Sequence, residues 1–379
     1  MTLSSSDATQ LRCWAEIDLE ILRENARACS ILAGGQCGLM AIVKADAYGH
    51  GLEHVVTALA NEVDWFGVAN VREAQRARIA AGSDVSVLIL SPPTPAEIEA
   101  IVAGRFSASV SSEQEVTAFS EAAQRTGSVA KLHAVADTGM GRMGAQGNDF
   151  LKLAKAIRDT PHCTLEGLET HFPSADEDPE FTANQIDRFQ HLIEQIERDS
   201  GCEIHLGNSA GLLGFHQTTP FATLARPGLA LYGVSPFEEP DSTLHPALSL
   251  KSRITLIRNV PAGTSISYGR TFIADKAMTV ATLGVGYGDG YPRHLSGSNT
   301  DVLIGGERCR LLGRVTMDQI MVDVTPLEKQ PNCGDEVVLI GRQGEEEITA
   351  CEMAEKAGTI PWEILTGITS RVVRIYHGG

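Results

Sequence analysis

Residues 38–51 read GLMAIVKADAYGHG. An apolar run, GLMAIV, ends on the charged Lys44 and passes into a glycine-rich turn that carries Tyr48. That is the pattern of a buried strand delivering a lysine to a loop. In one reading Lys44 snorkels from the strand end to solvent, as most lysines do. In the other it is a nucleophilic amine that holds a carbonyl cofactor. The chain beyond decides what kind of strand this is. EHVVTALANE reads as a helix, WFGVA as a strand, VREAQRARIAAG as a helix and VSVLIL as a strand. The alternation continues through TPAEIEAIVAG and FSASV, SSEQEVTAFSEAAQR and VAKLHAVAD, NDFLKLAKAIRD and TLEGLETHF, and ANQIDRFQHLIEQIERDS and CEIHLG, to a short helix before TLARPG. With DLEILRENARACSIL ahead of GLMAIV, about eight strand–helix units lie in the order of parallel strands joined by right-handed crossovers. That number predicts a closed (β/α)8 barrel of the TIM type rather than a doubly wound sheet.

After residue 240 the texture changes. HPALSLKSRITLIRNV, TSISYGRTF, MTVATLGVGYG, TDVLIGGERCRLLGR, IMVDVT and DEVVLIGR are short β-type runs separated by Gly, Pro and Asn turns, which predicts an all-β domain. The expected division is a barrel over residues 14–240 and a β domain over 241–379, with 1–13 free to join the second. EEPDSTLHP (238–246) is the expected junction, and neither a repeat nor a low-complexity stretch stands out.

A chain of 379 residues is long enough for one large barrel and a second domain. Its 43% hydrophobic and 21% charged residues describe an ordinary globular protein. A net charge of −17 argues against nucleic-acid or anionic-membrane partners, which need basic patches. The N-terminus, MTLSSSDATQLRCWAEIDL, has no basic n-region or apolar core and reads as a short tail rather than a signal peptide. No run approaches the ~18 apolar residues of a membrane span. The eight cysteines contain no C-x-x-C pair and read as reduced thiols of a cytoplasmic protein.

In such barrels the residues at the C-terminal strand ends form the active site. Read in order, those positions give Lys44 and Tyr48 after strand one, and Asp137 and Arg142 of DTGMGRMG after strand five. THFPSAD supplies His171 after strand six, HLGNSAG supplies His205, Asn208 and Ser209 at strand seven, and RPG supplies Arg226 and Gly228 at strand eight. Asn208 and Ser209 precede a helix start and Gly228 permits close backbone approach, so the last two loops look anion-binding. A lysine able to form an imine beside a phosphate grip suggests pyridoxal phosphate (PLP).

Taken in order and spacing, VKADAYGHG, DTGMGRMG, GLETHF, HLGNSAG, RPGLALYG, SYGRTF, GVGYGDGYPR, GRVTMDQ and PWEILTGI closely resemble the alanine racemases, from WAEIDL (14–19) to the end of the chain. The resemblance implies a PLP-binding barrel, a C-terminal β domain, and a homodimer whose active site is completed by the partner's β domain. It implies that Lys44 holds PLP and acts as the base on one face of a small amino acid such as alanine. Tyr268 of the other subunit is the implied base on the opposite face, with His171 beside Arg226 easing its ionisation. A free tyrosine is a poor base at neutral pH. Arg226 is implied to face the pyridine nitrogen and leave it unprotonated, because a guanidinium keeps its proton. The resemblance further implies that His205 packs on the cofactor ring. It gives the phosphate to Tyr48, Ser209 and the Gly228–Leu229 backbone, with Asn208 beside them. Arg142 and the partner's Met317 region would orient the substrate carboxylate, and Tyr287, Arg293 and Arg314 would line the entrance. In bacteria the product D-alanine would feed peptidoglycan synthesis.

Two positions depart from the family. A carbamylated lysine often stands two residues before the DTG aspartate, where it holds the arginine of DTGMGR; here that position is Val135, so Arg142 needs another counter-ion. The tyrosine often found before EIL is Trp362, whose indole offers only an N–H donor. Three tempting motifs carry less. GNSAG (207–211) fits the G-x-S-x-G hydrolase pattern, but Ser209 is better explained as a phosphate ligand. GVGYGDG (284–290) lacks the helix and acidic partner of a dinucleotide loop, and HGLEH (50–54) lacks the H-E-x-x-H order of a zinc site. The rival functions are a same-fold racemase preferring serine, a non-catalytic PLP carrier, and a hydrolase using Ser209.

Overall fold

The computed structural model describes residues 10–34, 37–82, 85–216, 219–237 and 242–379. Contacts among them divide the chain into two compact units. One comprises Leu22–Ala47 with Leu52–His245, and the other comprises the residues up to Ile21 with Tyr48–Gly51 and Pro246–Gly379. The expected junction begins at residues 238–241, and the N-terminal tail covers 1–9; both lie outside the described residues.

The first strand, β1 (Cys13–Asp18), is not part of the barrel, although the boundary expected at residue 14 would place it there. It pairs antiparallel with β10 (Leu248–Val260) and parallel with Val373–His377. The barrel is built from β2 (Gly38–Ile42), β3 (Trp65–Val68), β4 (Ser86–Ile89), β5 (Ser107–Val110), β6 (Ala130–Val135), β7 (Cys163–Glu169), β8 (Glu203–His205) and β9 (Leu224–Ala225). These eight strands form one parallel sheet in which β2 also pairs with β9. Between β8 and β9 single bonds replace a ladder: Thr223 N–H to Ile204 O (2.9 Å) and Arg226 N–H to Gly207 O (2.8 Å). The result is a nearly closed (β/α)8 barrel followed by a mostly antiparallel domain. The strands are near-continuous apolar runs because helices cover the outer face and side chains fill the inside.

Local chemistry sets the helix ends. Asn70 and Ser112 accept the N3 amides of Glu73 and Glu115, and Thr94 with Glu97 forms a capping box. Gly127 stops Glu113–Thr126 in a left-handed cap at φ 65°. Such sharp helix starts and stops keep the connections short, so each strand ends at a defined height.

In the second unit, β10 is central, pairing with β1, Met278–Leu283 and Glu336–Gln343. The all-β expectation holds for the sheet, but two helices interrupt it, Ala350–Ala357 and Pro361–Thr366. Thr349 and Gly358 cap the first of these, and Pro361 opens the second. Among the described residues no helix is long and apolar enough to cross a membrane.

Candidate active site

The strand β2 ends at Ile42, and Lys44 begins a turn of unusual hand. Ala45, Asp46, Ala47 and Tyr48 all lie near φ +50° (53°, 56°, 53° and 51°), closing one turn of left-handed helix with Ala47 N–H on Val43 O at 2.9 Å. For L-residues this conformation costs roughly 1–2 kcal/mol each, so it persists only where its surroundings hold it. Glu73 does so by accepting Ala45 N–H (2.9 Å) and Ala69 N–H (2.9 Å) on its two oxygens. Asp46 accepts Leu52 N–H (3.2 Å) and pairs with Arg76 (2.8 Å). The half-buried Lys44 amine is held below its ordinary range by burial, then by the charges of Arg142 and Arg226. That raises the neutral, nucleophilic fraction.

Arg226, which follows β9, is 3% exposed and points its guanidinium into the barrel. Its Nη1 donates to His205 Nδ1 (2.6 Å) and His205 O (2.8 Å). Its Nη2 donates to Thr170 O (2.6 Å) and His171 Nδ1 (3.2 Å). Glu169 Oε2 lies 3.5 Å from Nη1 as counter-charge, and its other oxygen accepts the Ser109 hydroxyl. Both histidines are driven well below the ordinary imidazole value, by burial first and then by the Arg226 charge. They are therefore neutral, and because arginine has no acceptor, each must present an unprotonated Nδ1 to it.

The last two loops, which the sequence reads as anion-binding, meet around Ser209. Ser209 Oγ accepts the amides of Gly228 (2.9 Å) and Ala230 (3.1 Å), so a buried hydroxyl sits among backbone donors with its own O–H left to give. Asn208 is used structurally: its oxygen caps Ser209–Phe215 through Gly211 N–H (2.9 Å), and its amide nitrogen donates to Phe172 O (3.2 Å). Asp137 accepts the amides of Gly139 (3.1 Å) and Gly141 (3.0 Å), fixing the loop that carries Arg142. Val135 is buried at the end of β6, and among the described residues no carboxylate lies within ion-pair distance of Arg142. His205, read from the sequence as packing on a cofactor ring, has both ring nitrogens taken by protein partners, Arg226 and His133.

The barrel unit thus gathers Lys44, Arg142, His171, His205, Asn208, Ser209, Arg226, Gly228 and Leu229 at its C-terminal strand ends. The remaining candidates belong to the second unit. Tyr48 is buried, and burial pushes its phenol up to about 12, so it stays a donor. The neighbouring Gly49 (φ 80°) sits so close to Leu365 O that a Cβ would overlap it, bringing Tyr48 onto the helix that begins Pro361–Trp362. Tyr268 is 71% exposed on a tight turn whose Gly269 lies against the Arg314 guanidinium. Tyr287 N–H bonds Thr316 O (3.0 Å) and Gly288 N–H bonds Met317 O (2.9 Å), joining those loops. Ser296, at the end of the Arg293 turn, accepts Val315 N–H at 3.0 Å. Tyr268, Tyr287, Arg293, Arg314 and Met317 therefore share one loop cluster.

Sequence reading missed Glu73, Ser109, His133, Glu166 and Glu169. Polar residues inside otherwise apolar strand runs were the available signal for the last four. Glu166 and Glu169 are three apart, which in a regular strand means opposite faces. A bulge in β7, where Leu132 pairs with Leu165 but His133 with Gly167, turns both inward.

An amine at one strand end, a buried arginine at the end of the neighbouring strand and a backbone-lined hydroxyl at the last two loops define a barrel enzyme. The sequence agrees with a known family over nearly its whole length. Residues 17–236 match the alanine racemase N-terminal domain, and 247–376 match the alanine racemase C-terminal domain. The chain belongs to the alanine racemase family. It is 40% identical to the alanine racemase of Carboxydothermus hydrogenoformans over 371 residues, 96% of this chain and 99% of that one. Its fold matches the alanine racemase of Streptomyces coelicolor A3(2) with a TM-score of 0.91 at 35% identity, covering 98% and 100% of the two chains. It matches that of Bartonella henselae, solved with covalently bound pyridoxal phosphate, with a TM-score of 0.88 at 27% identity, covering 97% and 100%.

Proposed function

We propose that this chain is a PLP-dependent racemase that interconverts L- and D-alanine by a two-base mechanism. The observation that carries the reading is the meeting of Lys44 with Arg226 at one barrel mouth, where burial and two guanidinium groups lower the amine's affinity for protons. The residues fit PLP: Lys44 for its aldehyde, and Ser209 with the Gly228 and Leu229 backbone and Tyr48 for its phosphate. Arg226 would face its pyridine nitrogen, and Trp362 stands in the sequence where a tyrosine often reaches the phosphate. When bound, PLP supplies the electron sink that makes the substrate's Cα–H acidic.

Lys44 holds or returns the Cα proton on one face. Tyr268 of the partner subunit does so on the other, and racemisation needs both, since one base removes the proton and the other restores it. His171, with Nδ1 accepting from Arg226, carries its proton on Nε2 and is free to donate to that phenol oxygen. Arg142 draws in the substrate carboxylate, its charge unmatched by any nearby carboxylate among the described residues. The exposure of Tyr268 (71%), Met317 (51%) and Tyr287 (41%) on one loop cluster supports a homodimer in which these loops, with Arg293 and Arg314, line the partner's barrel mouth. The barrel is the cofactor domain, the β domain the dimerising one, and the product serves cytoplasmic peptidoglycan synthesis.

The test is incubation with PLP and, separately, L-alanine or L-serine in deuterated water, following the D-enantiomer and Cα deuterium together. D-alanine carrying Cα deuterium is expected, and Lys44→Ala should abolish both it and the visible absorbance of lysine-bound PLP. Tyr268→Phe should impair the two directions unequally. Undiminished racemisation in Lys44→Ala would remove the mechanism, and faster turnover of serine would replace the substrate.

A further inference from the structure

An unbroken line of polar side chains runs through the barrel interior, from Arg226 at the C-terminal strand ends to Lys131 near the start of β6. Arg226 Nη1 is 2.6 Å from His205 Nδ1, and His205 Nε2 is 2.7 Å from His133 Nδ1. His133 Nε2 is 3.3 Å from Glu166 Oε2, and Glu166 Oε1 is 2.8 Å from Lys131 Nζ. The Ser107 hydroxyl also donates to Glu166. Both histidines are 0% exposed, so water cannot substitute for a missing partner.

The chemistry at the two ends fixes every proton between them. Arginine can only donate, so His205 Nδ1 must accept and its proton sits on Nε2. That proton needs an acceptor, so His133 Nδ1 is bare and His133 carries its proton on Nε2. Glu166, bridged to Lys131, is the acceptor at the far end. The opposite direction would set an N–H of His205 against an N–H of Arg226 at 2.6 Å. Among the described residues the other acceptor there, Glu169 Oε2 at 3.6 Å, is beyond hydrogen-bond reach.

We propose that His133 and Glu166 are positioning residues that take up the protons whose places Arg226 dictates, His133 from His205 Nε2–H and Glu166 from His133 Nε2–H, and thereby hold the His205 ring and the guanidinium of Arg226 in the site. The bulge in β7 and Gly167 make this possible. The bulge turns Glu166 inward, and the missing Cβ at Gly167 leaves room for the His133 ring, whose Nδ1 a methyl group would overlap. The role as a cofactor-facing group rests on the racemase reading; the order of protons does not.

The two are separable in one experiment. In the full chain labelled with 15N-histidine, two-bond proton–nitrogen spectra report which ring nitrogen bears the proton. Wild-type His205 and His133 are expected to be Nε2–H. In Glu166→Met, which keeps the length but offers no acceptor, the buried Nε2–H of His133 is stranded, so His133 should become a tautomer mixture and kcat for alanine should fall about tenfold, the size of one lost charged hydrogen bond. Glu166→Gln, which restores an acceptor oxygen, should recover most of both. His133→Phe should strand the Nε2–H of His205 and lower kcat in the same way. A His205 protonated on Nδ1 in the wild type, or a His133 that stays wholly Nε2–H in Glu166→Met with kcat unchanged, overturns the proposal. The expected spectra in a chain that does not racemise alanine would uphold the order of protons and remove only the racemase reading.

Discussion

The left-handed turn after Lys44 makes a prediction whose sign depends on its hand. Ala45 is exposed and sits at φ 53°, ψ 51°, so its methyl group packs on little and its whole effect is on the backbone. Replacing Ala45 with glycine removes the contact between Cβ and the carbonyl oxygen that makes the left-handed conformation costly, a relief of roughly 1–2 kcal/mol. Glycine's larger unfolded-state entropy takes back about 0.4–1 kcal/mol. The net expectation for Ala45→Gly is stabilisation by about 0–1.5 kcal/mol. The control is Ala100, exposed in the right-handed helix Pro95–Ala103, where the same substitution should cost about 1 kcal/mol. Urea unfolding of the two variants beside the parent reads the difference as a shift in midpoint at constant slope. Loss of 1 kcal/mol or more in Ala45→Gly, matching Ala100→Gly, would refute the left-handed turn. With it would go the argument that strain held by Glu73 and Asp46 aims Lys44.

Ser209→Ala strands the buried amides of Gly228 and Ala230; stability should fall by about 1–3 kcal/mol and PLP affinity with it, whereas an unchanged PLP titration would separate Ser209 from the phosphate. His171 and His205 stay neutral in the folded chain well below the ordinary imidazole value of about 6.5. The unfolded chain takes up those protons first, so stability is complete above about pH 6.5 and declines as the pH falls below it. For Glu166, burial pushes the carboxyl up but the bonds from His133, Lys131 and Ser107 outweigh it and hold it at about 2, so a second loss follows as the pH drops below 4.5. A melting temperature flat from pH 7.5 to 5.5 would contradict neutral imidazoles. Gly167→Ala should cost about 1–3 kcal/mol by overpacking against His133, and a wild-type melting curve would show that the ring does not sit there.

Much of the catalytic frame is local in origin and legible in the chain. Apolar runs such as GLMAIV, each followed by an amphipathic segment, determine parallel strands with crossovers, and in a barrel every such strand ends at the same face. Lys44, His171, His205, Ser209 and Arg226 could therefore be placed at one mouth from their positions alone. Other features depend on partners distant in sequence. Period-two alternation puts Glu166 and Glu169 on opposite faces; only the bulge set by pairing with β6 turns both inward. KADAY carries no mark of a left-handed turn, because the residues that hold it, Glu73 and Arg76, lie some thirty positions on. Asn208 reads as an anion ligand, and only the fold shows that its amide also bonds Gly211 and Phe172. Sequence alone determined which residues reach the mouth. The tertiary structure decided which way their protons point, because a buried donor must find an acceptor and the neighbouring strands supply it.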